Sequence, residues 1–489
     1  MPTEERVRAL SFAVRPRVVG RYLGDLTLAV GLLTVVPAGV ALASSELRAT
    51  FALATAAAAL VGLGLLLRRL RASEEVQRNE AMVIVAAIFL LVPVAMVGPL
   101  MVAGDLGFLD AFFEAVSGVT TTGLTTVAPL EGRSRSFLFT RAWMQWYGGL
   151  GIVALAAALM TGPGIATRRL GLVGAEGELA PESFRGHARQ MLVTYLQITA
   201  LGVVALVLVG ATSFDALTHA LSGVSTGGFS SHDASLPGLG GWPIQAVATL
   251  LGLCGAVSLP LYARARRQGI RALTQDVELR ALLLACGAST LLLGLLLATE
   301  SGAAPLAALR HASLLAVSAQ TTTGFTPIAP AELGPAAKLV VIGSMASGGS
   351  LGSTAGGIKL LRVLIAIRLI RWMIRRARLA PHAVAEPRLG GERLESVEIE
   401  RALVLILLFL AVVGLSWLAF VAYGHDALDA LFEVVSATGT VGLSVGLVGA
   451  SLEPVLRAVL CADMLLGRLE VVALLVALSP ATWLGRRAG

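Results

Sequence analysis

Four short segments of this 489-residue chain combine residue types that could bind a dehydrated cation. Each places a serine six residues ahead of a glycine, with hydroxyl-bearing or small residues between them. Backbone carbonyl and hydroxyl oxygens can replace the hydration shell of a monovalent cation. Glycine reaches positive φ at little cost, so successive carbonyls can point toward one axis. The pattern indicates a cation filter contributed by four loops.

The candidate filter residues carry no formal charge. They are Thr121, Thr122, Gly123 and Leu124, then Thr226, Gly227, Gly228 and Phe229, then Thr322, Thr323, Gly324 and Phe325, and finally Thr440, Val441, Gly442 and Leu443. One such tetrapeptide alone would be an ordinary turn. Four in register favour the filter, and the last is close to the TVGYG signature of potassium filters.

Catalytic and metal-site patterns are weak by comparison. The six histidines form no HExxH motif or pair at metal spacing, and no G-x-S-x-G elbow is present. Cys254, Cys286 and Cys461 lie in apolar stretches without a CxxC pair, which predicts small core residues. An intramembrane enzyme is the weakest hypothesis, and no organic cofactor is expected on this chain.

The loops must be carried by membrane-spanning helices. Hydrophobic residues make up 56% of the chain and charged residues 14%, against about 25% charged in globular proteins. Uncharged runs of 26, 25 and 30 residues follow Arg141, Arg189 and Asp233. Each exceeds the roughly 20 residues that a helix needs to cross the hydrocarbon core. The composition predicts an all-α polytopic membrane protein.

The apolar stretches divide into ten predicted spans and four shorter pieces. The spans are near 26–45, 49–67, 81–102, 137–160, 190–210, 241–263, 281–299, 334–375 (interrupted), 402–422 and 453–485. The shorter pieces, near 108–118, 213–223, 305–318 and 426–436, cannot cross a bilayer and are predicted to re-enter it.

An internal fourfold repeat follows, because each short piece precedes one of the four glycines. Successive glycines lie 105, 96 and 118 residues apart. The repeating unit is a long helix, a short re-entrant helix with its loop, and a second long helix. The predicted segments are an N-terminal hairpin at 1–79 and pore repeats at 80–169, 170–272, 273–380 and 381–489.

The net charge of +7 is explained by membrane orientation. Thirty of the 38 lysines and arginines fall in alternate loops or at the termini. The positive-inside rule places these loops and both termini in the cytoplasm, so a nucleic-acid partner is not needed. The N-terminal segment lacks an A-x-A-like cleavage site before its first apolar run, which predicts a retained first span.

Several independent motifs resemble a known family. The four loops, the stretch MQWYGGLG from Met144, the segment GGSLGSTAGGIK (348–359) and MLLGRLE (464–470) are together similar to the Trk/Ktr/HKT potassium transporters. The likeness runs from about residue 80 to the C-terminus, and the additional N-terminal helix pair looks like the TrkH-type membrane subunit.

The resemblance implies potassium uptake across the bacterial inner membrane through a fourfold pseudosymmetric pore. It also implies a homodimer, contact with membrane lipid, and gating by a cytosolic ring of the TrkA type that holds the nucleotide. Family members with serine at the first filter glycine tend to admit Na⁺, so Gly123 favours K⁺. A Na⁺-permeable or Na⁺-coupled relative remains the alternative. An organic-substrate carrier with inverted repeats is disfavoured, since these repeats are direct.

A glycine-rich stretch interrupts the predicted span at 334–375. Glycines destabilise a helix by about 1 kcal/mol each, so an intramembrane loop is predicted, with a helix-packing face of small residues as the alternative. The resemblance makes it a gating loop. Its candidate residues are Gly348, Gly349, Gly352, Ser353, Thr354, Gly356, Gly357 and Lys359.

Arg468 falls midway along the last predicted span. An intramembrane arginine usually faces the protein interior or a cavity. It could balance Asp463 or Glu470, or bind carbonyl oxygens, as a purely structural residue. The resemblance instead implies a movable positive barrier in the pore, near the gating loop.

Two sets of charged residues each have two possible interpretations. Asp110, Asp215 and Asp429 are predicted as ordinary caps of the short helices. With Glu114 and Glu433 they could also raise the cation concentration at the outer mouth. The basic stretch 359–401 is predicted to be either a lipid-facing anchor or a docking surface.

Overall fold

The computed structural model describes residues 13–71, 76–159, 181–300, 304–380 and 386–484, with backbone alone at 152–159 and 181–188. The basic residues at 1–12, 161–180 and 485–489, which are predicted to be cytoplasmic, lie outside the described residues. The structure is 73% helical and its described residues form no closed sheet, which confirms the all-α polytopic fold.

The helices are numbered in chain order. They are α1 Pro16–Ala43, α2 Leu47–Arg68, α3 Arg78–Gly104, α4 Phe108–Val119, α5 Arg135–Leu159, α6 Pro181–Leu208, α7 Ser213–Val224, α8 Leu236–Leu239, α9 Trp242–Ala256, α10 Leu259–Gln268, α11 Arg271–Gln275, α12 Val277–Glu300, α13 Pro305–Gln320, α14 Pro335–Ser347, α15 Leu360–Arg376, α16 Ser396–Ala422, α17 Ala427–Thr438, α18 Pro454–Arg468, α19 Val472–Leu478 and α20 Pro480–Trp483. A two-stranded antiparallel hairpin, β1 Arg388–Leu389 with β2 Glu392–Arg393, pairs Leu389 with Glu392.

Six helices in the described part are long and apolar enough to cross a membrane, and α9 with α10 would make a seventh as one bent span. The four predicted re-entrant pieces are the short helices α4, α7, α13 and α17, of 12, 12, 16 and 12 residues. Their predicted positions agree with the structure to within a few residues. Each is followed by a non-helical loop that contains the predicted glycine.

Several helices begin earlier than their apolar runs predicted. Helix α1 starts at Pro16, ten residues before the predicted start, with proline in its first turn, a position that proline favours. Arg21 pairs with Asp25 one turn later at 2.8 Å. Helix α3 starts at Arg78 behind a capping box formed by Gln77 and Glu80. Charged residues form helix readily, so hydropathy alone underestimates these ends.

Two spans predicted as continuous are broken, and those predictions were wrong. Helices α9 and α10 meet at 86°. Val257 between them is extended, and Pro260 occupies the first turn of α10, a position that proline favours at a helix start. The last span is broken after Arg468, because Glu470 and Val471 adopt φ of 52° and 60°. Arg468 therefore ends α18 and does not lie within a continuous helix.

Residue contacts divide the chain into two compact units. Among the described residues, the first comprises 13–71, 76–115, 133–140 and 469–484. In it α1 packs closely on α2 through glycines: a Cβ on Gly64 would lie 2.7 Å from the backbone nitrogen of Leu28. Arg15 Nε lies 2.8 Å from Glu80 Oε1, which is fully buried.

The second unit comprises the described residues of 116–132 and 141–468, and it contains all the predicted filter and gating residues. The repeat boundaries follow the sequence periodicity and stay a prediction.

Candidate functional site

The predicted filter loops all leave their short helices in the same way. The backbone N–H two residues before each glycine donates to the carbonyl three residues earlier, at 2.9–3.1 Å. The next N–H donates to the carbonyl of the repeat serine, at 2.8–2.9 Å. These serines are Ser117, Ser222, Ser318 and Ser436. This is the Schellman arrangement, which satisfies carbonyls at a helix end.

Positive φ recurs at two positions in each loop. Thr121, Thr226, Thr322 and Thr440 have φ of 56°, 52°, 55° and 50°. The glycines two residues later have φ of 89°, 76°, 84° and 93°. Positive φ is a genuine outlier for a β-branched residue, and strain of this kind costs about 1–3 kcal/mol and persists only where the surroundings impose it. The same strained backbone therefore occurs four times.

The four loops close into a ring through their glycines. A Cβ added to Gly123 would overlap the carbonyl oxygen of Gly227 in the second loop. One on Gly228 would overlap that of Thr323, and one on Gly324 that of Val441. The ring is completed at Gly442, whose added Cβ would overlap the carbonyl oxygen of Thr122. The sixteen predicted filter residues are thus brought together, and each loop leaves no room for a side chain on its neighbour.

Most filter side chains are buried. Thr122, Leu124, Phe229, Thr323, Phe325, Val441 and Leu443 are buried, whereas Gly123, Gly228 and Gly442 are half-exposed. A surface of backbone oxygen and glycine can coordinate a cation through carbonyls alone. That these residues bind an ion stays a prediction.

Sequence reasoning assigned no role to two residues that support the second loop. Gln145 Nε2 donates to the Gly227 carbonyl at 2.6 Å, and Gln145 Oε1 accepts from the Phe229 N–H at 3.1 Å. The buried Arg141 guanidinium lies 3.9 Å from the centre of the Phe229 ring. The motif around Met144 was the available signal for Gln145, but its spacing did not show which backbone it would hold.

The glycine-rich segment 348–359 is a non-helical loop, as predicted. Gly348, Gly352 and Gly357 have φ of 69°, 73° and 72°. The loop fits the break between α9 and α10: the Ser350 N–H donates to the Ala256 carbonyl at 3.0 Å, and the Leu259 N–H donates to the Gly352 carbonyl at 3.1 Å. Backbone groups freed by one interruption are thus satisfied by the other.

This loop also contacts three filter loops where they leave their short helices. Thr354 Oγ1 lies 3.0 Å from the Val224 carbonyl oxygen and 3.3 Å from Thr226 Oγ1. The Gly356 N–H donates to Thr322 Oγ1 at 2.7 Å, and the Gly357 N–H donates to the Gly439 carbonyl at 3.0 Å.

The remaining predicted gating residues complete the loop. Ser353 Oγ donates to the Ser350 carbonyl at 2.6 Å, and the Gly349 carbonyl accepts from the Leu360 N–H at 2.9 Å. Lys359 is buried, and its ammonium donates to the Ala355 carbonyl.

Arg468 binds carbonyl oxygens, one of the alternatives predicted for it. Its Nη1 donates to the Thr354 carbonyl at 2.8 Å and its Nη2 to the Gly148 carbonyl at 3.3 Å. Asp463 instead accepts from Ser416 Oγ at 2.6 Å, so the ion pair considered with Asp463 is not formed. The guanidinium, 2% exposed, is attached to the glycine-rich loop.

Two of the predicted caps were wrong by three residues. Thr212 caps α7, and Asp215 lies in the first turn with its carboxylate accepting from Thr212 and Ser231. Asp426 caps α17, and Asp429 pairs with Lys338 at 2.6 Å. Carboxylates in the first turn are still favoured by the helix dipole.

The acidic residues predicted at the outer mouth do not all face water. Asp110 lies in the first turn of α4. Glu114 and Glu433 are fully buried, and their electrostatic role at the outer mouth stays a prediction. Another carboxylate, Asp233, joins the segments that follow the first and second filter loops, because its side chain accepts from the Leu130 N–H at 2.9 Å. Burial and the neighbouring Glu131 carboxylate raise the pKa of Asp233.

Four short helices, each ending in the same strained loop, and a closed ring of these loops define a polytopic membrane protein with a fourfold internal repeat. Residues 47–483 match the TrkH family of cation transport proteins. The Trk system potassium uptake protein TrkH of Salmonella typhimurium is 32% identical over 394 residues, covering 78% of this chain and 80% of its own. An uncharacterized cation transporter of Methanocaldococcus jannaschii is 28% identical over 414 residues, covering 84% and 85%.

The crystal structure of the potassium transporter TrkH from Vibrio parahaemolyticus superimposes with a TM-score of 0.85 at 28% identity. The match covers 96% of this chain and all of the other. The chain belongs to the TrkH family, a family of cation transporters and not of enzymes. The resemblance inferred from the motifs is confirmed.

Proposed function

We propose that this protein mediates potassium uptake across the bacterial inner membrane by selective conduction through the four-loop ring. The closed ring of carbonyls and glycines is the observation that carries the proposal. Relatives named as Trk potassium uptake proteins support K⁺ as the cargo. Uncharged oxygen ligands suit a monovalent cation that sheds its water.

The glycine-rich loop is the proposed gate. The loop forms hydrogen bonds with the hydroxyls of Thr226 and Thr322, where two filter loops leave their short helices. Arg468 donates a further hydrogen bond to the Thr354 carbonyl of the loop. An ion that leaves the ring toward the cytoplasm must pass this loop. Conduction therefore requires these bonds to break, which makes the loop a two-state element that a partner could bias.

The proposed assembly is a homodimer bound to a cytosolic TrkA-type ring that holds the regulatory nucleotide. The exposed basic residues at the end of α15 support such docking, since Arg375, Arg376 and Arg378 are all exposed. Both chain termini face the cytoplasm in this proposal.

Reversing Arg375, Arg376 and Arg378 to Glu is expected to weaken binding of the cytosolic ring by tenfold or more, roughly the loss expected when rim charges are inverted. Pull-down of the purified ring by the detergent-solubilised protein measures this binding. Reversal of the exposed Arg69 and Arg71, outside the cluster, is the matched control. Binding left intact by the triple variant would favour the lipid-anchor interpretation, at about 1 kcal/mol per residue.

Flux measurements in proteoliposomes test the proposed function. Purified protein should carry K⁺ and Rb⁺ well and Na⁺ poorly, and a nucleotide-bound ring should change the rate. Equal K⁺ and Na⁺ fluxes would instead assign the protein as a sodium-permeable relative. K⁺ transport that requires Na⁺ would assign a coupled mechanism.

A further inference from the structure

A buried carboxylate lies behind the fourth filter loop. Glu433 is on α17, nine residues before Gly442, and is fully buried. Its Oε1 accepts three hydrogen bonds: from Ser444 Oγ at 2.6 Å, the Val445 N–H at 2.9 Å and the Leu447 N–H at 3.2 Å. One oxygen atom therefore ties the outer lip of the loop, the residues that follow its glycine, to the short helix.

The second repeat has the same connection built from different chemistry. His219 also lies nine residues before its filter glycine and is fully buried. Its Nδ1 lies 2.9 Å from the Asp215 carbonyl oxygen. Because a carbonyl can only accept, Nδ1 carries the proton and Nε2 accepts. Nε2 lies 3.1 Å from Ser230 Oγ, and Ser230 occupies the same place after Gly228 that Ser444 occupies after Gly442.

The third repeat shows what replaces the connection where no acceptor is available. Leu315 occupies the equivalent position and cannot accept a hydrogen bond. The outer lip at Thr326 is held by the second repeat instead: its N–H donates to Ser235 Oγ at 3.2 Å, and its carbonyl accepts from the Leu236 N–H at 3.2 Å. An apolar residue at this position is thus compatible with the short helix, provided that the lip is held from elsewhere.

We infer that Glu433 is a specificity-determining positioning residue, which holds the outer lip of the fourth loop so that its carbonyls keep the spacing the cargo ion requires. His219 has the same role in the second loop. The inference rests on the proposed function. The Glu433 carboxylate has no solvent exposure, so it does not contact a hydrated cation. Its effect passes through Ser444 and the backbone that leads to Gly442.

The test compares Glu433→Gln, Glu433→Leu and Ser444→Ala in proteoliposomes, with the K⁺/Na⁺ flux ratio as the readout. Glu433→Gln keeps an acceptor oxygen and should retain the wild-type ratio. Glu433→Leu removes all three bonds and should lower the ratio by about tenfold, and Ser444→Ala by about threefold, in the range that follows loss of buried hydrogen bonds. Leu315→Met, at the matched position of the third repeat, should leave the ratio unchanged.

The outcomes separate the inference from the proposed function. A wild-type protein without K⁺ selectivity would overturn both. A selective wild type together with an unchanged ratio in Glu433→Leu would overturn the inference alone. Equal losses in Glu433→Gln and Glu433→Leu would show that charge and not an acceptor is needed, which also overturns it. If Glu433→Leu does not fold, an unchanged ratio in Ser444→Ala has the same meaning.

Discussion

Replacing Gly123 or Gly442 by serine is expected to lower the K⁺/Na⁺ flux ratio by roughly tenfold or more. Both glycines adopt positive φ, and a Cβ on either would overlap a carbonyl oxygen of the neighbouring loop. The new side chain must displace that carbonyl, and the change affects two loops. Proteoliposome flux with K⁺ and Na⁺ gradients measures the ratio directly.

Gly287 offers a matched control for the filter substitutions. It lies within α12, and a Cβ there would meet no atom within 4 Å. Gly287→Ser should keep the wild-type ratio. Unchanged selectivity in both Gly123→Ser and Gly442→Ser, with normal expression, would show that the ring is not the filter.

Arg468→Ala is expected to raise cation flux several-fold in a protein that still folds. The substitution removes two hydrogen bonds from a charged donor, each worth about 1.5–3 kcal/mol, and one of them holds the glycine-rich loop at Thr354. Destabilising the closed position of the loop by about 1.4 kcal/mol would already lower the ratio of closed to open molecules tenfold. Arg468→Lys should be intermediate, since it keeps the charge but not the fork of donors.

The opposite result would identify a structural arginine. Lower flux together with a lower unfolding temperature would mean that the bonds to Thr354 and Gly148 mainly hold the helices together. Arg457 provides the control on the same helix. Its guanidinium binds the Leu452 carbonyl at 2.8 Å, outside the glycine-rich loop, so Arg457→Ala should not raise flux.

The repeat was predictable because its signal is local and occurs four times. A short apolar helix, a serine and a glycine six residues later need no knowledge of packing. The breaks after Ala256 and Arg468 were not predictable from hydropathy, since apolar residues continue on both sides of each break. They depend on tertiary contacts: the carbonyl of Ala256 is satisfied by the glycine-rich loop, about 90 residues later in the chain.

The supporting residues were missed for the same reason. Glu433 looked like an acidic residue of the outer mouth because its position on the short helix was known but the direction of its side chain was not. Arg141 and Gln145 lie on a long apolar helix, where sequence gives no sign of the loop they contact. Side-chain partners across the unit depend on how the repeats pack, and a single sequence does not specify that packing.

The order of these segments along the chain has a consequence for biogenesis. Gly442 closes the ring against the first loop, whose glycine lies 319 residues earlier, so the ring stays incomplete until the last repeat has been synthesised. The glycine-rich loop at 348–359 emerges before that last repeat. In the proposed mechanism, the segment that forms the barrier is therefore synthesised before the last segment of the conducting path.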